Sequence, residues 1–254
     1  MEQNIETVIV TQARLGSTRL PGKVMLKVEG NELLRIHLER LKKARLADKV
    51  LVATTTNEQD QLIADKAKEW VEDCYRGSED DVLDRFYQAV KDDKPKWVVR
   101  VTSDCPLLDP KLIDAVIAYA QVNEVDYCAN IIVENYPDGQ DVEVFKFDAL
   151  EKAWKEAKVR SDREHVTPYI RNNTDIKGGT LFKGLNFPAQ EDHSSIRMTV
   201  DEPRDFELIQ ALIQLKGTGS TWKEYVDCII ESKLYELNSS IQRNEGFYKS
   251  LKED

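Results

Sequence analysis

The chain has 254 residues, of which 41% are hydrophobic and 32% charged, a composition typical of a folded globular protein. This length is ample for a hydrophobic core, and we interpret residues 1–254 as a single domain. The net charge of −10 argues against nucleic-acid binding, which needs a basic surface. No apolar run reaches the roughly 18 residues of a membrane span, and the amino terminus does not resemble a signal peptide. We therefore expect a cytoplasmic protein with no membrane partner.

Strand-like and helix-like segments alternate along the first half of the chain, which is typical of an α/β fold with a mainly parallel sheet. Apolar, β-branched runs predict strands at 6–13, 49–56 and 96–104. Apolar residues at helical spacing predict helices at 32–44, 58–70, 78–90 and 109–121. Ser78 is a candidate N-cap for the third of these helices, and Asp109 followed by Pro110 is a strong start signal for the fourth.

The second half continues with less regular spacing. A Pro-Asp-Gly turn leads into a strand within 135–147, and helices are predicted at 148–157 and 161–173. Ser161 and Glu164 form a candidate capping box for the latter helix. Loops and edge strands are expected at 175–193. The segment 194–215 is predicted to be a strand that runs directly into a helix, and partly helical structure is expected after residue 221.

The four cysteines contain no Cys-x-x-Cys pair, which disfavours a zinc ribbon or a thioredoxin-type site. We expect Cys74, Cys105, Cys128 and Cys228 to be buried thiols that pack as small apolar side chains.

The loop after the first strand, TQARLGSTRLPGKV, concentrates three cations in ten residues of an acidic protein. Arg14, Arg19 and Lys23 surround Gly16 and Gly22, and cations near exposed backbone N–H groups favour phosphate binding. The spacing matches neither a P-loop nor the dinucleotide fingerprint G-x-G-x-x-G. The alternative interpretation is an ordinary solvated basic loop.

Two aspartates follow predicted strands, and strand ends carry the ligand sites of open α/β sheets. Asp104 is the last residue of the strand at 96–104. Asp201 lies in the segment 194–215, where the predicted strand ends and the predicted helix begins. Two carboxylates that face one polyphosphate form a hard oxygen site suited to Mg²⁺. For Asp201 the alternative is a role as the cap of the following helix.

The segment QARLGSTRLPGK resembles the opening signature of the CTP-dependent cytidylyltransferases that activate acylneuraminate and 3-deoxy-manno-octulosonate. The resemblance is to the branch named after spore coat polysaccharide biosynthesis protein F, and it extends from Val8 to about Leu251. Further segments similar to that branch are RGSEDDVLDRFYQAV, RVTSDCPLLDP, NYPDGQDVEVF, REHVTPYIR, RMTVDEPRDFELI and RNEGFYKSL.

The resemblance implies a Rossmann-like, mostly parallel sheet of the nucleotide-diphospho-sugar transferase type. It also implies a small dimerisation flap around 130–195 and a homodimer. In the implied reaction, an oxygen of the acceptor attacks the α-phosphorus of CTP and pyrophosphate leaves. Such chemistry needs positioning and charge neutralisation rather than a covalent nucleophile.

The resemblance also implies roles for individual residues. Arg14 and Lys23 match the cations that hold the triphosphate, and Asp104 and Asp201 match the aspartates that bind Mg²⁺. The implied nucleotide-binding residues are Ala13, Gly16, Ser17, Thr18, Arg19, Ser78, Arg85, Thr102 and Ser103. The candidate acceptor-binding residues are Asp141, Glu143, His165 and Tyr169. For Asp141 and Glu143, the alternative is a solvated face of the sheet.

One departure leaves the acceptor open. The classical neuraminate and octulosonate enzymes have Gln-rich or Pro-rich sequence before the metal aspartate, where this chain has Arg100, Thr102 and Ser103. The leading hypothesis is therefore a Mg²⁺-dependent cytidylyltransferase for a small acidic sugar or phosphate-bearing acceptor in surface polysaccharide biosynthesis. The alternatives are a nucleotidyltransferase with another base or a non-sugar acceptor, and a non-catalytic nucleotide-binding subunit.

Overall fold

A seven-stranded sheet forms the centre of the computed structural model, which describes residues 5–70 and 73–245. Parallel strands run through one half of it, in the spatial order β5-β4-β1-β6, and β8, β7 and β9 continue it. β8 is antiparallel to both β6 and β7, whereas β9 is parallel to β7. The strands of this sheet are β1 (Thr7–Gln12), β4 (Lys49–Thr55), β5 (Asp73–Gly77), β6 (Trp97–Thr102), β7 (Tyr127–Ala129), β8 (Glu143–Lys146) and β9 (Gly184–Asn186), and a separate hairpin contains β2 (Lys27–Val28) and β3 (Asn31–Glu32).

Helices cover both faces of the sheet. Apolar side chains of α1, α2 and α4 pack with one set of strand residues, and those of α3 and α5 pack with the alternate set. A third apolar cluster joins α8 and α9 to the other side of α1. The helices are α1 (Leu33–Leu41), α2 (Gln61–Glu69), α3 (Val82–Val90), α4 (Pro110–Asn123), α5 (Phe147–Glu156), α6 (Arg160–His165), α7 (Pro168–Asn172), α8 (Pro203–Lys216) and α9 (Trp222–Glu231).

The predicted α/β class is confirmed, with a Rossmann-like, mostly parallel half of the sheet. The strands predicted at 6–13, 49–56 and 96–104 all form, because their continuous apolar runs suit a sheet covered on both faces. The helix after Asp109 begins as predicted, and the Asp109 carboxylate accepts a hydrogen bond from the Lys111 N–H. The sequence interpretation missed β5 and β7, which contain few residues that would separate them from loops, and also the two-residue strands β2 and β3.

Two predicted helix starts are wrong. α3 begins at Val82 with Asp81 as its N-cap, whereas Ser78 caps a turn by accepting from the Asp81 N–H. The capping box of Ser161 and Glu164 does not form, since α6 begins at Arg160 without a side-chain cap.

The helix predicted at 161–173 is two short helices, α6 and α7. The backbone of Val166 has φ of 72° between them, and Pro168 opens α7. A proline ring clashes with the carbonyl of a preceding helical turn, so it starts a new helix rather than extending the first.

The strand predicted within 194–215 is also wrong, although its helix, α8, forms. The backbone there is extended but hydrogen-bonds to two different loops. Met198 N–H donates to the Asp138 carbonyl at 2.7 Å, and Val200 N–H donates to the Asp104 carbonyl at 2.8 Å. Because the partners change within two residues, only an isolated bridge forms, between Asp138 and Arg197.

Three of the cysteines are buried as predicted, and Cys74 is half-buried; all four are free thiols. Within 5–70 and 73–245, no helix combines the length and the apolar character needed to cross a bilayer. Residues 130–195 contribute β8 and β9 to the main sheet, and their role in dimerisation stays a prediction. The end of the closing segment RNEGFYKSL lies outside the described residues.

Candidate active site

Two adjoining cavities open at the carboxyl ends of β1 and β6, where open α/β sheets bind their ligands. The first cavity has a volume of about 700 Å³ and the second about 540 Å³. Residues that line both cavities mark where they meet, and these are Gln12, Arg19, Thr102, Asp104, His165, Asp201 and Glu245.

The structure brings most of the candidate site residues to these cavities. The first cavity is lined by the predicted residues Ala13, Arg14, Gly16, Ser17, Thr18, Arg19, Lys23, Arg85, Thr102, Ser103, Asp104 and Asp201. Asp141, Glu143 and His165 line the second. Ser78 and Tyr169 line neither of them, and the Tyr169 hydroxyl donates to Glu156 at 2.6 Å, away from the cleft.

The loop that follows β1 is held in place by a buried carboxylate. Asp60, which is fully buried, accepts a hydrogen bond from the Leu15 N–H at 2.8 Å and another from the Thr55 hydroxyl. The loop closes on itself where the Gly22 N–H donates to the Leu15 carbonyl at 3.0 Å, with Gly22 at φ of 66°. A residue with a β-carbon would be strained there. These contacts fix the path of the chain that presents Lys23 to the cleft.

Lys23 bridges the two predicted metal ligands. Its ammonium lies 3.0 Å from Asp104 Oδ2 and 2.7 Å from Asp201 Oδ1. Burial alone would lower the pKa of Lys23, but the two carboxylates outweigh it and raise this pKa above its usual value. Burial would likewise raise the pKa of Asp104, yet Lys23 and a hydrogen bond from Thr102 hold it well below its usual range. Lys23 and Asp104 are thus strongly biased toward their charged forms around neutral pH.

Asp201 is held from its other side by Arg197. The Arg197 guanidinium contacts Asp201 Oδ2 at 3.0 Å and Asp205 Oδ1 at 2.9 Å, and it also pairs with Asp138. Asp201 does not cap α8, because Glu202 is the N-cap and forms a capping box with Asp205. The alternative role that the sequence left open for Asp201 is therefore not realised, and its carboxylate faces the cleft.

The remaining cations of the loop are paired with acidic residues around the first cavity. Arg14 contacts Glu79 at 3.2 Å, and Arg19 contacts Asp201 at 3.3 Å and Glu245 at 3.2 Å. These pairs are substantially exposed, so each contributes little to stability. A polyanion can therefore exchange with these carboxylates at small cost.

Arg85 lies beneath the first cavity and is buried. Burial and the nearby Arg14 lower the pKa of Arg85 to about 10, and its guanidinium donates to the Ser78 carbonyl. Arg85 also packs closely against Gly77, where an added β-carbon would lie only 3.0 Å from Arg85 Cγ.

Glu143 in the second cavity is only 2% exposed, so the alternative of a solvated sheet face is wrong for this residue. It pairs with Arg100 and accepts a hydrogen bond from the Tyr127 hydroxyl. Burial would raise the pKa of Glu143, but Arg100 and Arg171 outweigh it and lower that pKa.

Asp141 precedes β8 and pairs with Arg243 at 2.8 Å. Burial in the cleft raises the pKa of Asp141 to about 7, against the opposing effect of Arg243. His165 is half-buried, and burial together with Arg100 lowers its pKa to about 4. At neutral pH the imidazole of His165 is therefore uncharged.

Sequence interpretation missed two residues in this region. Gln12 ends β1 and lines both cavities, and within 5–70 and 73–245 its buried amide oxygen has no hydrogen-bond partner. Its place directly before the basic loop was the available signal. Arg243 comes from the far end of the chain and donates to the Tyr136 carbonyl as well as to Asp141. No local pattern near residue 243 signals that contact.

The first strand of this sheet is followed by a basic loop, and two carboxylates lie at the ligand-binding edge. These features are those of a nucleotide-binding α/β protein of the nucleotidyltransferase type. The cytidylyltransferase family model matches residues 7–238. The chain therefore belongs to the cytidylyltransferase family and is an enzyme of the nucleotidyltransferase class.

Several relatives match most of the chain. An uncharacterized protein, MJ1063 of Methanocaldococcus jannaschii, is 45% identical over 203 residues, which are 78% of this chain and 79% of that protein. Spore coat polysaccharide biosynthesis protein SpsF of Bacillus subtilis is 32% identical, with coverage of 84% and 88%. A 3-deoxy-manno-octulosonate cytidylyltransferase of Elusimicrobium minutum is 30% identical, with coverage of 84% and 85%.

Two solved structures share the fold of this chain. A cytidylyltransferase from Leptospira borgpetersenii superimposes with a TM-score of 0.86 at 30% identity, over 94% of this chain and 100% of that one. A CMP:2-keto-3-deoxy-manno-octonic acid synthetase complexed with CTP gives a TM-score of 0.61 at 16% identity, over 83% and 99% of the two chains. The second match supports the fold alone.

Proposed function

We propose that this protein is a Mg²⁺-dependent cytidylyltransferase that transfers CMP from CTP to a small acidic sugar or phosphate-bearing acceptor and releases pyrophosphate. The observation that carries the proposal is the bridge from Lys23 to Asp104 and Asp201 beside the meeting point of the two cavities. A nucleotide in the first cavity and an acceptor in the second would place the reacting phosphorus there.

The donor set fits a magnesium ion that is shared with substrate. Among the described residues no group of three or more His, Cys, Asp and Glu side chains could hold a metal ion by itself. Mg²⁺ commonly uses one or two carboxylates and completes its shell with phosphate oxygens and water. Oxygens of Asp104 and Asp201 already lie within 3.0 Å of one cationic atom, Lys23 Nζ, so they can face one cation.

The bound ion would neutralise charge on the phosphate oxygens and orient the α-phosphate. Lys23 would then contact the triphosphate and stabilise the negative charge that develops on the departing pyrophosphate. Arg14 and Arg19 would exchange their exposed carboxylate partners for phosphate oxygens. Arg197 would keep Asp201 oriented through its contact at 3.0 Å.

The acceptor would bind in the second cavity, with its nucleophilic oxygen toward Asp104. The uncharged imidazole of His165 lines both cavities and can hydrogen-bond to an acceptor hydroxyl. The name of the relative SpsF, a spore coat polysaccharide biosynthesis protein, supports a role in surface polysaccharide biosynthesis. We also propose a cytoplasmic location, since CTP is a cytoplasmic metabolite.

The direct test is pyrophosphate release in the presence of Mg²⁺, with CTP, UTP, GTP and ATP each offered with a panel of acidic sugars and small phosphate esters. We expect release with CTP that requires one class of acceptor and stops when EDTA removes the metal. Equal rates with all four nucleotides would contradict the base preference. Tight CTP binding with no release from any acceptor, unchanged by the substitution Asp104→Asn, would favour a non-catalytic nucleotide-binding subunit.

We further propose a homodimer, which rests on resemblance to the family. Sedimentation at micromolar concentration should give about twice the 29.2 kDa mass of one chain. A single species of monomer mass would contradict it.

A further inference from the structure

Two groups of charged side chains line the second cavity, and they are separated along β6. The first group contains Asp104 and Asp201, at the ligand-binding edge of the sheet. The second contains Arg100 and Arg171, which lie around Glu143. Arg100 is two residues before Thr102 on the same face of β6, which corresponds to roughly 7 Å along the strand.

The register of the sheet creates the second group. Arg100 and Glu143 are direct cross-strand partners in the antiparallel pair of β6 and β8. Their side chains therefore leave the sheet side by side, and the Arg100 guanidinium pairs with Glu143 Oε1. The Tyr127 hydroxyl from β7 donates to the other oxygen, Glu143 Oε2. Both oxygens of the carboxylate thus have protein partners.

Two guanidinium groups, those of Arg100 and Arg171, act on Glu143 and on His165. Each of them lowers the pKa of both residues. The neighbouring carboxylate, Asp141, has a cationic partner of its own. In addition, Nε of Arg100 is buried and finds no hydrogen-bond partner among the described residues.

A buried carboxylate that is only 2% exposed is poorly placed to bind an acceptor itself. It is well placed to fix the orientation of a neighbouring arginine, because a planar guanidinium that pairs with one carboxylate retains donors for another. Glu143, which the sequence suggested as an acceptor-binding residue, is by this reasoning a positioning residue.

We propose that Arg100, oriented by Glu143, and Arg171 form the anion-binding part of the acceptor site. This inference rests on the proposed cytidylyltransferase function. The acceptor is then a small molecule that carries a carboxylate or a phosphate monoester at one end. Its nucleophilic oxygen lies several bonds away, toward Asp104 and Asp201. The carboxylate and the phosphate monoester share one chemistry, an oxyanion with a geometry that guanidinium groups bind through paired hydrogen bonds.

The test measures anion binding while the first cavity is occupied. Acetate and inorganic phosphate are titrated separately by calorimetry into protein with saturating CTP and Mg²⁺. We expect wild-type protein to bind at least one of them, which identifies the class of oxyanion. Arg100→Gln and Arg171→Gln should each weaken binding about tenfold or more, since each removes a charge-assisted contact. CTP binding should be unchanged in both variants.

Arg35→Gln is the matched control, because Arg35 lies on the exposed side of α1 and pairs only with Glu39 in the described residues. It should leave anion binding as in the wild type. A double variant, Arg100→Gln with Glu143→Gln, removes the buried pair without leaving either charge alone. If Arg100 serves only to hold β6 against β8, the folded double variant will bind anions normally. If the proposal holds, binding will stay weak.

Two results would overturn the inference. One is wild-type protein that binds CTP but neither anion, and the other is an Arg100→Gln variant that binds them as tightly as the wild type. Failure of wild-type protein to bind CTP would instead contradict the proposed function. For acceptors found by the pyrophosphate screen, an acid should outperform its methyl ester, and Arg100→Gln should raise the acceptor KM more than it lowers kcat.

Discussion

The ammonium of Lys23 lies 3.0 Å from the carboxylate of Asp104, although 81 residues separate them in the chain. The two side chains meet because β1 and β6 are adjacent parallel strands whose carboxyl ends lie at one edge of the sheet. The loop after β1 supplies the cation, and the turn after β6 supplies the carboxylate. The contact thus follows from strand order, and it explains why a basic loop and an isolated aspartate belong to one site.

Asp104→Asn should abolish turnover and weaken metal-dependent CTP binding. The amide keeps the shape of the side chain but removes the charge that Lys23 and a metal ion would share. The measurement is the rate of pyrophosphate release, with CTP binding followed over a range of Mg²⁺ concentrations. Asp92→Asn, in the exposed turn after α3, is the control and should behave as wild type. A near-normal rate for Asp104→Asn would contradict the assigned role.

Lys23→Ala should lower kcat by a factor of about 10²–10³, as expected for loss of one charge contact made in the transition state. The variant also leaves Asp104 and Asp201 without the cation between them, so its apparent affinity for Mg²⁺ should rise in the absence of nucleotide. Steady-state kinetics and a metal titration measure the two effects. An effect confined to KM would mean that Lys23 contributes only to ground-state binding.

Gly139→Ala should destabilise the protein by roughly 2–6 kcal/mol, the combined cost of backbone strain and of overpacking. Gly139 has φ of 101°, and a β-carbon there would lie 2.6 Å from the backbone carbon of Met198. Gly219→Ala meets nothing within 4 Å and should change stability by less than about 1 kcal/mol. Urea unfolding of both variants gives the comparison, and similar stabilities would contradict it.

His37 should make the protein less stable as the pH falls from 7 to 5. It is fully buried, and burial lowers its pKa from 6.5 to about 4, despite a hydrogen bond to the Cys105 carbonyl. The unfolded chain therefore takes up a proton near pH 6.5 while the folded protein does not. Stability present above pH 6.5 is lost as the pH falls toward 4, and between pH 7 and 5 the loss is about 2 kcal/mol.

Urea unfolding of wild type and of His37→Gln at several pH values isolates this contribution, since carboxylates contribute equally to both proteins. The variant should be less stable at pH 7 but should lose less stability on acidification. Parallel stability curves for the two proteins would show that His37 is not the group responsible.

Local chemistry predicted those elements whose signals lie within a few residues. Asp109 and Pro110 mark a helix start because capping needs only the next turn of chain. Asp104 could be singled out because an aspartate directly after a buried strand has no structural task nearby. The basic loop could be recognised by its cations and glycines alone.

Other features depend on distant partners and could not be read from the sequence. The apolar pattern of the extended segment before α8 predicts a strand, yet its hydrogen bonds go to Asp104 and Asp138 in separate loops. The pairing of Arg100 with Glu143 depends on the register of β6 against β8, and a shift of one residue in that register would abolish the pair. Arg243 reaches Asp141 across 102 residues of sequence.

The cytidylyltransferase family model ends at residue 238, but residues after that position also line the cleft. Arg243 and Glu245 lie beyond that boundary and contact Asp141 and Arg19, one on each side of the junction between the cavities. An expression clone trimmed to the family boundary would keep every predicted catalytic residue and still lose part of the cleft wall. A clone for kinetic work should therefore retain Arg243 and Glu245 together with the residues that follow them.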